Sequence, residues 1–396
     1  MNTPIDISQN KPLLWLMALA CGLCAGANYY CQPLISSIQD SFQVPQADVA
    51  LTVTIAQVSY ALGLLLIVPL GDILNKTKFI PLLMFLAAIG LALCALSTNI
   101  QMLWLGTLMA GLFSVAAQVL IPLATMAVKP EKTGEVVGLL MSGLLVGILL
   151  STSIAGLLSE LVHWKLIYVV SAAMMLMIAV VLKSYLPEVP TSKMSYGSIL
   201  SSMFNLLKAE PRLVFRAYTG AFAFASMSIL FSTIAMLLSS QFYLSDFVIG
   251  FVTLAGVFGA LSTKKIGQFA DRGHILLISW LGLALMALSW LLLYFGKYIL
   301  ISYIIGFGVI NLGLAAIHSS NQNVIFRLRP DAKSRINSIY MTCYFIGGAS
   351  GSALGVYAWH HGGWLMSCLT GVTLVGCAAI ACGLDQRYQQ RHAHLH

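Results

Sequence analysis

Polar side chains recur inside the apolar stretches of this chain, where no water is available to bind them. Asn311 and His318 are seven residues apart, which places them on one face of a helix. Inside hydrocarbon, such groups must pair with one another, face a cavity or bind a ligand. A histidine, whose unperturbed pKa is about 6.5, can also exchange protons near neutral pH. We therefore expect this face to line a pocket or pathway for a solute.

The composition places these residues in a membrane. Of the 396 residues, 59% are hydrophobic and 9% are charged, whereas charged residues make up about a quarter of an ordinary globular domain. The net charge of +8 does not indicate nucleic-acid binding, because the basic residues form short clusters between apolar runs. The predicted partners are a lipid bilayer and a small-molecule substrate, with no nucleic acid.

A window of about 19 residues predicts twelve membrane-spanning helices. A polar segment divides them six and six, so the predicted domains are an N-terminal half (1–186), a cytoplasmic linker (187–211) and a C-terminal half with a short cytoplasmic tail (212–396). The predicted spans are 13–35, 49–70, 79–96, 103–128, 136–158, 166–185, 214–238, 247–262, 275–295, 299–322, 336–359 and 364–383.

The distribution of lysine and arginine predicts the orientation. Alternate loops are basic, and only Lys165 and Lys297 fall on the other side. Because cytoplasmic loops accumulate positive charge, both termini are predicted to be cytoplasmic in a multi-pass protein of a bacterial-type inner membrane. An offset of about 200 residues also indicates two parallel-related halves. The paired landmarks are Asp72 with Asp271, Gly147 with Gly347, and Trp164 with Trp364.

Residues 267–273 contain a G-x-x-x-D-R loop motif, and residues 70–78 contain a weaker copy of it. This motif resembles the loop signature of the major facilitator superfamily. The stretches 28–34, 118–122 and 319–337 resemble the twelve-span, drug-efflux-like (drug:proton antiporter 1-type) branch of that superfamily. The resemblance implies an all-α membrane protein of the major facilitator fold, with 12 transmembrane helices in two pseudo-symmetric six-helix halves. It also implies that helices one, four, seven and ten surround a central cavity.

Substrate-binding residues are predicted among the polar and aromatic side chains of the spans. An apolar pocket with a few uncharged hydrogen-bonding groups suits an amphipathic or weakly polar organic molecule. Each amide could instead bond between helices, and Tyr29 and Tyr30 could instead be interfacial anchors. The predicted residues are Asn28, Tyr29, Tyr30, Gln32, Gln57, Gln118, Phe224, Asn311, His318, Gln322 and Tyr344.

Gating residues are predicted at helix ends and in glycine stripes. A carboxylate at a cytoplasmic helix end can accept backbone hydrogen bonds and pair with a cation, and glycines at every fourth residue let helices approach and rock. The alternative role of the aspartates is helix capping. The predicted residues are Asp72, Lys76, Gly267, Asp271, Arg272, Gly147, Gly347 and Gly351.

These features together favour a secondary active transporter that exports small amphipathic or weakly polar organic compounds by alternating access, as a proton antiporter. No carboxylate falls near the centre of a predicted span, so His318 is the proton-coupling candidate, and a neutral pocket histidine is its alternative role. A metabolite importer or a proton-independent facilitator is the alternative function. We do not expect an enzyme, because the spans contain no paired acid and base and no H-E-x-x-H or G-x-S-x-G motif. No cofactor or metal is expected, and the chain is expected to be a monomer.

Overall fold

The computed structural model describes residues 6–129, 133–191, 194–256, 275–329 and 332–392. Within these ranges the regular elements are helices, in agreement with the predicted all-α class. Nine stretches of the described residues are long and apolar enough to cross a membrane. The predicted number of twelve stays a prediction, because the span expected at 247–262 extends beyond the described residues.

The chain divides into two compact units. Unit 1 comprises Met1–Ile199 with Asp246–Gly250, and unit 2 comprises Leu200–Ser245 with Phe251–His396. The helices of unit 1 are α1 (Lys11–Gly26), α2 (Ile35–Phe42), α3 (Gln46–Leu66), α4 (Lys76–Leu96), α5 (Ile100–Phe113), α6 (Ala116–Met126), α7 (Thr133–Leu161) and α8 (Leu166–Tyr185). The later helices are α9 (Tyr196–Ala209), α10 (Pro211–Phe242), α11 (Asp246–Val252), α12 (Ile275–Phe295), α13 (Leu300–Leu328) and α14 (Lys333–His392).

The first predicted span is not one continuous helix. Helix α1 ends at Gly26, and residues 27–34 form turns before α2 begins. The amide of Tyr29 bonds the carbonyl of Gly26 at 2.9 Å, three residues back rather than four. Pro33 explains part of this break, because it lacks an amide hydrogen and disfavours helical geometry in the residue before it. In the break, the backbone around two of the predicted binding residues, Asn28 and Gln32, lacks the regular helical hydrogen-bond pattern.

Helix α14 contains the last two predicted spans. Gly363, with φ 60° and ψ −152°, interrupts it and separates a first limb (333–362) from a second limb (364–392). This left-handed backbone geometry is open to glycine, which has no Cβ atom to clash. The glycine therefore ends one predicted span and allows the next to begin almost at once.

The first turn of α11 packs within unit 1. Asp246 is buried, and its carboxylate accepts hydrogen bonds from the hydroxyls of Ser37 and Ser159, the latter at 3.2 Å. Asp246 precedes the predicted eighth span, and burial raises the pKa of its carboxyl group, with repulsion from Asp40 and Glu160 adding to the effect. The serine hydroxyls oppose this rise because they stabilise the charged form.

Glycines mark the closest helix contacts in both units. In unit 2, Gly347 and Gly351 of α14 lie against the backbone of Ala221 and Ala225 of α10. In unit 1, Gly147 of α7 lies against the backbone of α1 at Gly22. The predicted gating glycines are therefore positions at which two helix backbones touch, with no room for a side chain.

We predict that Gly351→Ala destabilises the protein, because its Cβ atom would overlap the carbonyl oxygen of Ala225. Overpacking of this kind costs roughly 1–3 kcal/mol. Gly376→Ala is the matched control, since a Cβ atom there meets nothing within 4 Å in the same helix. Thermal unfolding of the purified protein in lipid nanodiscs would measure both. Equal melting temperatures for the two variants would contradict the close-contact assignment.

Candidate functional site

Two of the predicted amides in unit 1 bridge helices. Asn28, in the turns after α1, donates to the hydroxyl of Ser114 at 3.0 Å. Ser114 lies at the junction between α5 and α6. Gln118 of α6 donates to the hydroxyl of Tyr60 of α3 at 3.4 Å. These contacts agree with the interhelical role that the sequence left open, and they leave the binding role untested.

Gln32 is different, because it is 1% exposed and neither its Oε1 nor its Nε2 atom has a hydrogen-bond partner among the described residues. The Oδ1 atom of Asn28 also has no hydrogen-bond partner among the described residues. Leaving a buried polar group unpaired costs about 1–3 kcal/mol, so such a group calls for a specific explanation. Both residues lie in the break of the first predicted span, and discontinuous membrane helices commonly form solute sites. Gln32 is therefore the strongest pointer to a ligand in unit 1.

The other predicted residues of unit 1 are buried. Tyr30 shares a hydrogen bond of 2.7 Å with Ser171 of α8, and its ring meets that of Tyr168 edge-on at 5.8 Å. Tyr29 and Gln57 are also buried. Tyr30 thus attaches the broken first span to α8, whichever of its two predicted roles applies.

Three predicted residues of unit 2 come together in an aromatic cluster. Phe224 of α10 stacks on Tyr344 of α14, with ring centroids 4.1 Å apart and an interplanar angle of 11°. The ring of His318, from α13, lies 5.1 Å from that of Tyr344. Its Nδ1 atom lies 3.1 Å from the hydroxyl of Tyr340, a residue that the sequence analysis did not single out. His318 is half-buried, whereas Phe224 and Tyr344 are buried, so the imidazole forms the accessible edge of the cluster.

Asn311 and Gln322 are also half-buried on α13. The Nδ2 atom of Asn311 donates to the carbonyl of Phe307 at 2.7 Å, and its amide lies beside Gly256. Within the described part of the chain, Asn311 makes no hydrogen bond with His318. Their shared helix is as predicted, but they are not joined in one polar cluster.

A buried ion pair in unit 2 was missed by the sequence analysis, which singled out neither Arg216 nor Asp385. Arg216 of α10 is 1% exposed, and Asp385 in the second limb of α14 is 0% exposed. The Nε and Nη2 atoms of Arg216 lie 2.8 and 2.7 Å from Oδ2 of Asp385. Arg212 also binds Asp385, with Nε 3.0 Å from Oδ1. The available signal in the sequence was the pair Arg212 and Arg216, one helical turn apart at the start of an apolar run. This spacing places two cations on one face of the helix, where they need an acidic partner.

Arg216 also binds two further helices. Its Nη1 atom donates to the hydroxyl of Ser279 of α12 at 3.0 Å and to Oδ1 of Asn321 of α13 at 3.2 Å. Burying a charged group is costly unless each of its donors has an acceptor. The guanidinium of Arg216 has acceptors on Asp385, Ser279 and Asn321. Arg216 therefore ties α10, α12, α13 and α14 together within unit 2.

Two predicted gating residues of the first half, Asp72 and Lys76, lie at helix boundaries. Asp72 ends a short 3-10 turn (Val68–Asp72), and Lys76 begins α4. Lys76 is buried and is attracted electrostatically by Asp72. The other predicted loop residues, Gly267, Asp271 and Arg272, lie outside the described residues. The gating roles stay predictions.

The chain is similar to known transporters in its sequence and in its fold. The sequence model of the Major Facilitator Superfamily matches residues 17–352. The uncharacterized transporter YgaY of Escherichia coli O157:H7 is 43% identical over 364 residues, which cover 91% of this chain and 92% of that protein. The inner membrane transport protein YnfM of Escherichia coli K12 is 26% identical, over 90% of this chain and 87% of that protein. Among solved structures, the human organic anion transporter MFSD10 (TETRAN) has a TM-score of 0.72 at 15% identity, covering 95% of this chain and 99% of that chain.

We predict that Asp385→Leu is strongly destabilising, by about 3–5 kcal/mol, because it leaves buried Arg216 without its counter-ion. The double variant Arg216→Met/Asp385→Leu should recover most of this loss, since an apolar pair of similar volume can replace a buried ion pair. Thermal unfolding would measure all three proteins.

The control is Glu210→Gln, which removes a surface ion pair of 3.6 Å with Arg329 and should cost at most about 1 kcal/mol. A melting temperature for Asp385→Leu that matches this control would contradict the structural role of the buried pair.

Proposed function

Because the chain belongs to the Major Facilitator Superfamily, we propose that this multi-pass membrane transporter exports small amphipathic or weakly polar organic compounds in exchange for protons. It does so by alternating access across a bacterial cytoplasmic membrane, with both termini on the cytoplasmic side. The observation that carries the substrate class is the unpaired, buried amide of Gln32 in the broken first span. An amide without partners accommodates a ligand that both donates and accepts hydrogen bonds.

The charge distribution of unit 2 supports an uncharged or weakly polar substrate. A phosphate or dicarboxylate needs a cation at its site, and Arg216 is already bound to Asp385. The half-buried imidazole of His318 lies against the buried rings of Phe224 and Tyr344. An uncharged hydrogen-bonding group at the edge of an apolar cluster suits a weakly polar ligand better than an anion.

His318 is the proposed proton carrier. It is half-buried and bonded to Tyr340 through Nδ1, so a change of its charge would alter a contact between α13 and α14. A proton-independent facilitator is the second candidate function. It is favoured by Asp385, the buried carboxylate of the described part of unit 2, because two arginines already bind it.

We predict that the uncharged amide chloramphenicol stabilises the purified protein, whereas tetraphenylphosphonium and succinate do not. A compound that binds only the folded state raises its apparent melting temperature. Gln32→Leu should abolish the shift, because the unpaired amide is lost, and Gln101→Leu at an exposed position is the control. Counterflow of labelled chloramphenicol in proteoliposomes would then test transport.

Stabilisation by succinate alone would replace the proposed substrate class by organic anions. Stabilisation by tetraphenylphosphonium alone would replace it by lipophilic cations.

We predict that His318→Ala lowers chloramphenicol transport and flattens its pH dependence more than Gln118→Ala does. The imidazole can gain and lose a proton near neutral pH, whereas the amide of Gln118 donates to Tyr60 and is not titratable. Initial rates in proteoliposomes at imposed pH gradients would measure both variants. Wild-type flux that ignores the gradient would reject antiport and favour the facilitator.

A further inference from the structure

A chain of hydrogen bonds leads from the buried ion pair of unit 2 to His318. Arg216 bonds Asn321, the Nδ2 atom of Asn321 lies 3.4 Å from the hydroxyl of Tyr340, and that hydroxyl lies 3.1 Å from Nδ1 of His318. Asn321 and Tyr340 are both 0% exposed, so water does not complete their hydrogen bonding. Each group along this chain must therefore satisfy its neighbour as a donor or as an acceptor.

Two contacts fix the orientation of the Asn321 amide. Its Oδ1 atom accepts from Nη1 of Arg216 at 3.2 Å, and its Nδ2 atom donates to the carbonyl oxygen of Arg216, also at 3.2 Å. A guanidinium only donates, and a carbonyl oxygen only accepts. A flipped amide would place donor against donor and acceptor against acceptor. Arg216 thus directs the NH₂ group of Asn321 toward Tyr340.

The orientation of the Asn321 amide in turn determines the donor and acceptor roles at Tyr340 and His318. Since Asn321 donates to the Tyr340 oxygen, the remaining capacity of the buried hydroxyl is its own hydrogen, and the nitrogen beside it is Nδ1 of His318. An unsatisfied buried hydroxyl hydrogen would cost about 1–3 kcal/mol. Nδ1 must then be an acceptor, which it can be only when it carries no proton.

We propose that Asn321, oriented by Arg216, is a positioning residue that holds His318 through Tyr340 as the neutral tautomer with its proton on Nε2. The half-buried ring then offers an N–H donor at Nε2, so the transported compound carries an acceptor, such as a carbonyl or ether oxygen, at that point. This second statement rests on the proposed function, whereas the tautomer does not.

The same geometry sets a condition for charging His318. A second proton can enter only at Nδ1, where the Tyr340 hydroxyl already donates. Taking up that proton therefore requires the hydroxyl hydrogen to turn away. The arrangement links the charge of the ring to the contact between α13 and α14. The titratable side chains in contact with the ring are Tyr340 and Tyr344. Arg216 and Cys343 interact with Tyr340, and Asp385 and Cys382 lie beside Arg216.

Nitrogen NMR of the full-length protein in nanodiscs, with isotope-labelled histidine, tests this directly. The His318 signal is identified by its absence in His318→Gln. We expect the proton on Nε2 in the wild type. In Asn321→Asp the side chain only accepts, so the Tyr340 hydroxyl should donate to it, and the proton should move to Nδ1 of His318.

Tyr340→Phe removes the linking hydroxyl, and the double variant Asn321→Asp/Tyr340→Phe should give the same His318 spectrum as Tyr340→Phe alone. Asn311→Asp is the control, because it adds the same charge to α13 seven residues from His318, about 10 Å along the helix, and should leave the tautomer unchanged.

A wild-type proton on Nδ1 would overturn the proposal. So would an Asn321→Asp spectrum identical to that of the wild type. If Asn321→Asp does not fold, a Tyr340→Phe spectrum without a change at Nδ1 would also overturn it. Absence of transport with the expected tautomer would instead reject the proposed function alone.

Discussion

Hydrocarbon supplies no hydrogen bonds, and this constraint governs the interior of both units. Several buried polar groups are paired across helices: Asn28 with Ser114, Gln118 with Tyr60, and Arg216 with Asp385. Each pairing avoids a cost of about 1–3 kcal/mol for a lost partner, and more for a charge. Against this background, an unpaired amide such as that of Gln32 carries information, because nothing else in the described part of the chain compensates for it.

Directionality is the second consequence of that constraint. Arginine can only donate, so a buried arginine imposes donor and acceptor roles on the groups around it, whereas a neutral amide or hydroxyl adapts to its neighbours. Arg216, its counter-ion Asp385 and Arg212, which also binds Asp385, cannot reverse their roles. The adaptable groups, Asn321 and Tyr340, take their orientation from Arg216. The chemistry of the half-buried His318 is in this way set from a residue with which it has no direct hydrogen bond.

The sequence predicted the helical class and most span positions, because long apolar runs permit little else in a bilayer. It missed the break after Gly26, since hydropathy depends on composition and not on which amide bonds which carbonyl. It also missed the pairing of Arg216 with Asp385, which are 169 residues apart along the chain. Phe224, His318 and Tyr344 were predicted as substrate-binding residues because each is polar or aromatic in a span, but their contact with one another was not predicted. Tyr340 was not distinguished from the tyrosines that only fill space. Proximity of such side chains is decided by helix packing, which one sequence does not specify.

The glycine stripe of α14 and the ion pair of Arg216 act on the same two helices, and their effects on motion differ. Gly347 and Gly351 allow the first limb of α14 to touch α10 without directional bonds, so sliding at that contact breaks nothing specific. Asp385 joins the second limb to α10 through charged hydrogen bonds whose geometry is fixed. A shift of the second limb along α10 would have to break these bonds between two buried charged groups. The ion pair therefore opposes sliding of the second limb, whereas the glycine contacts of the first limb do not.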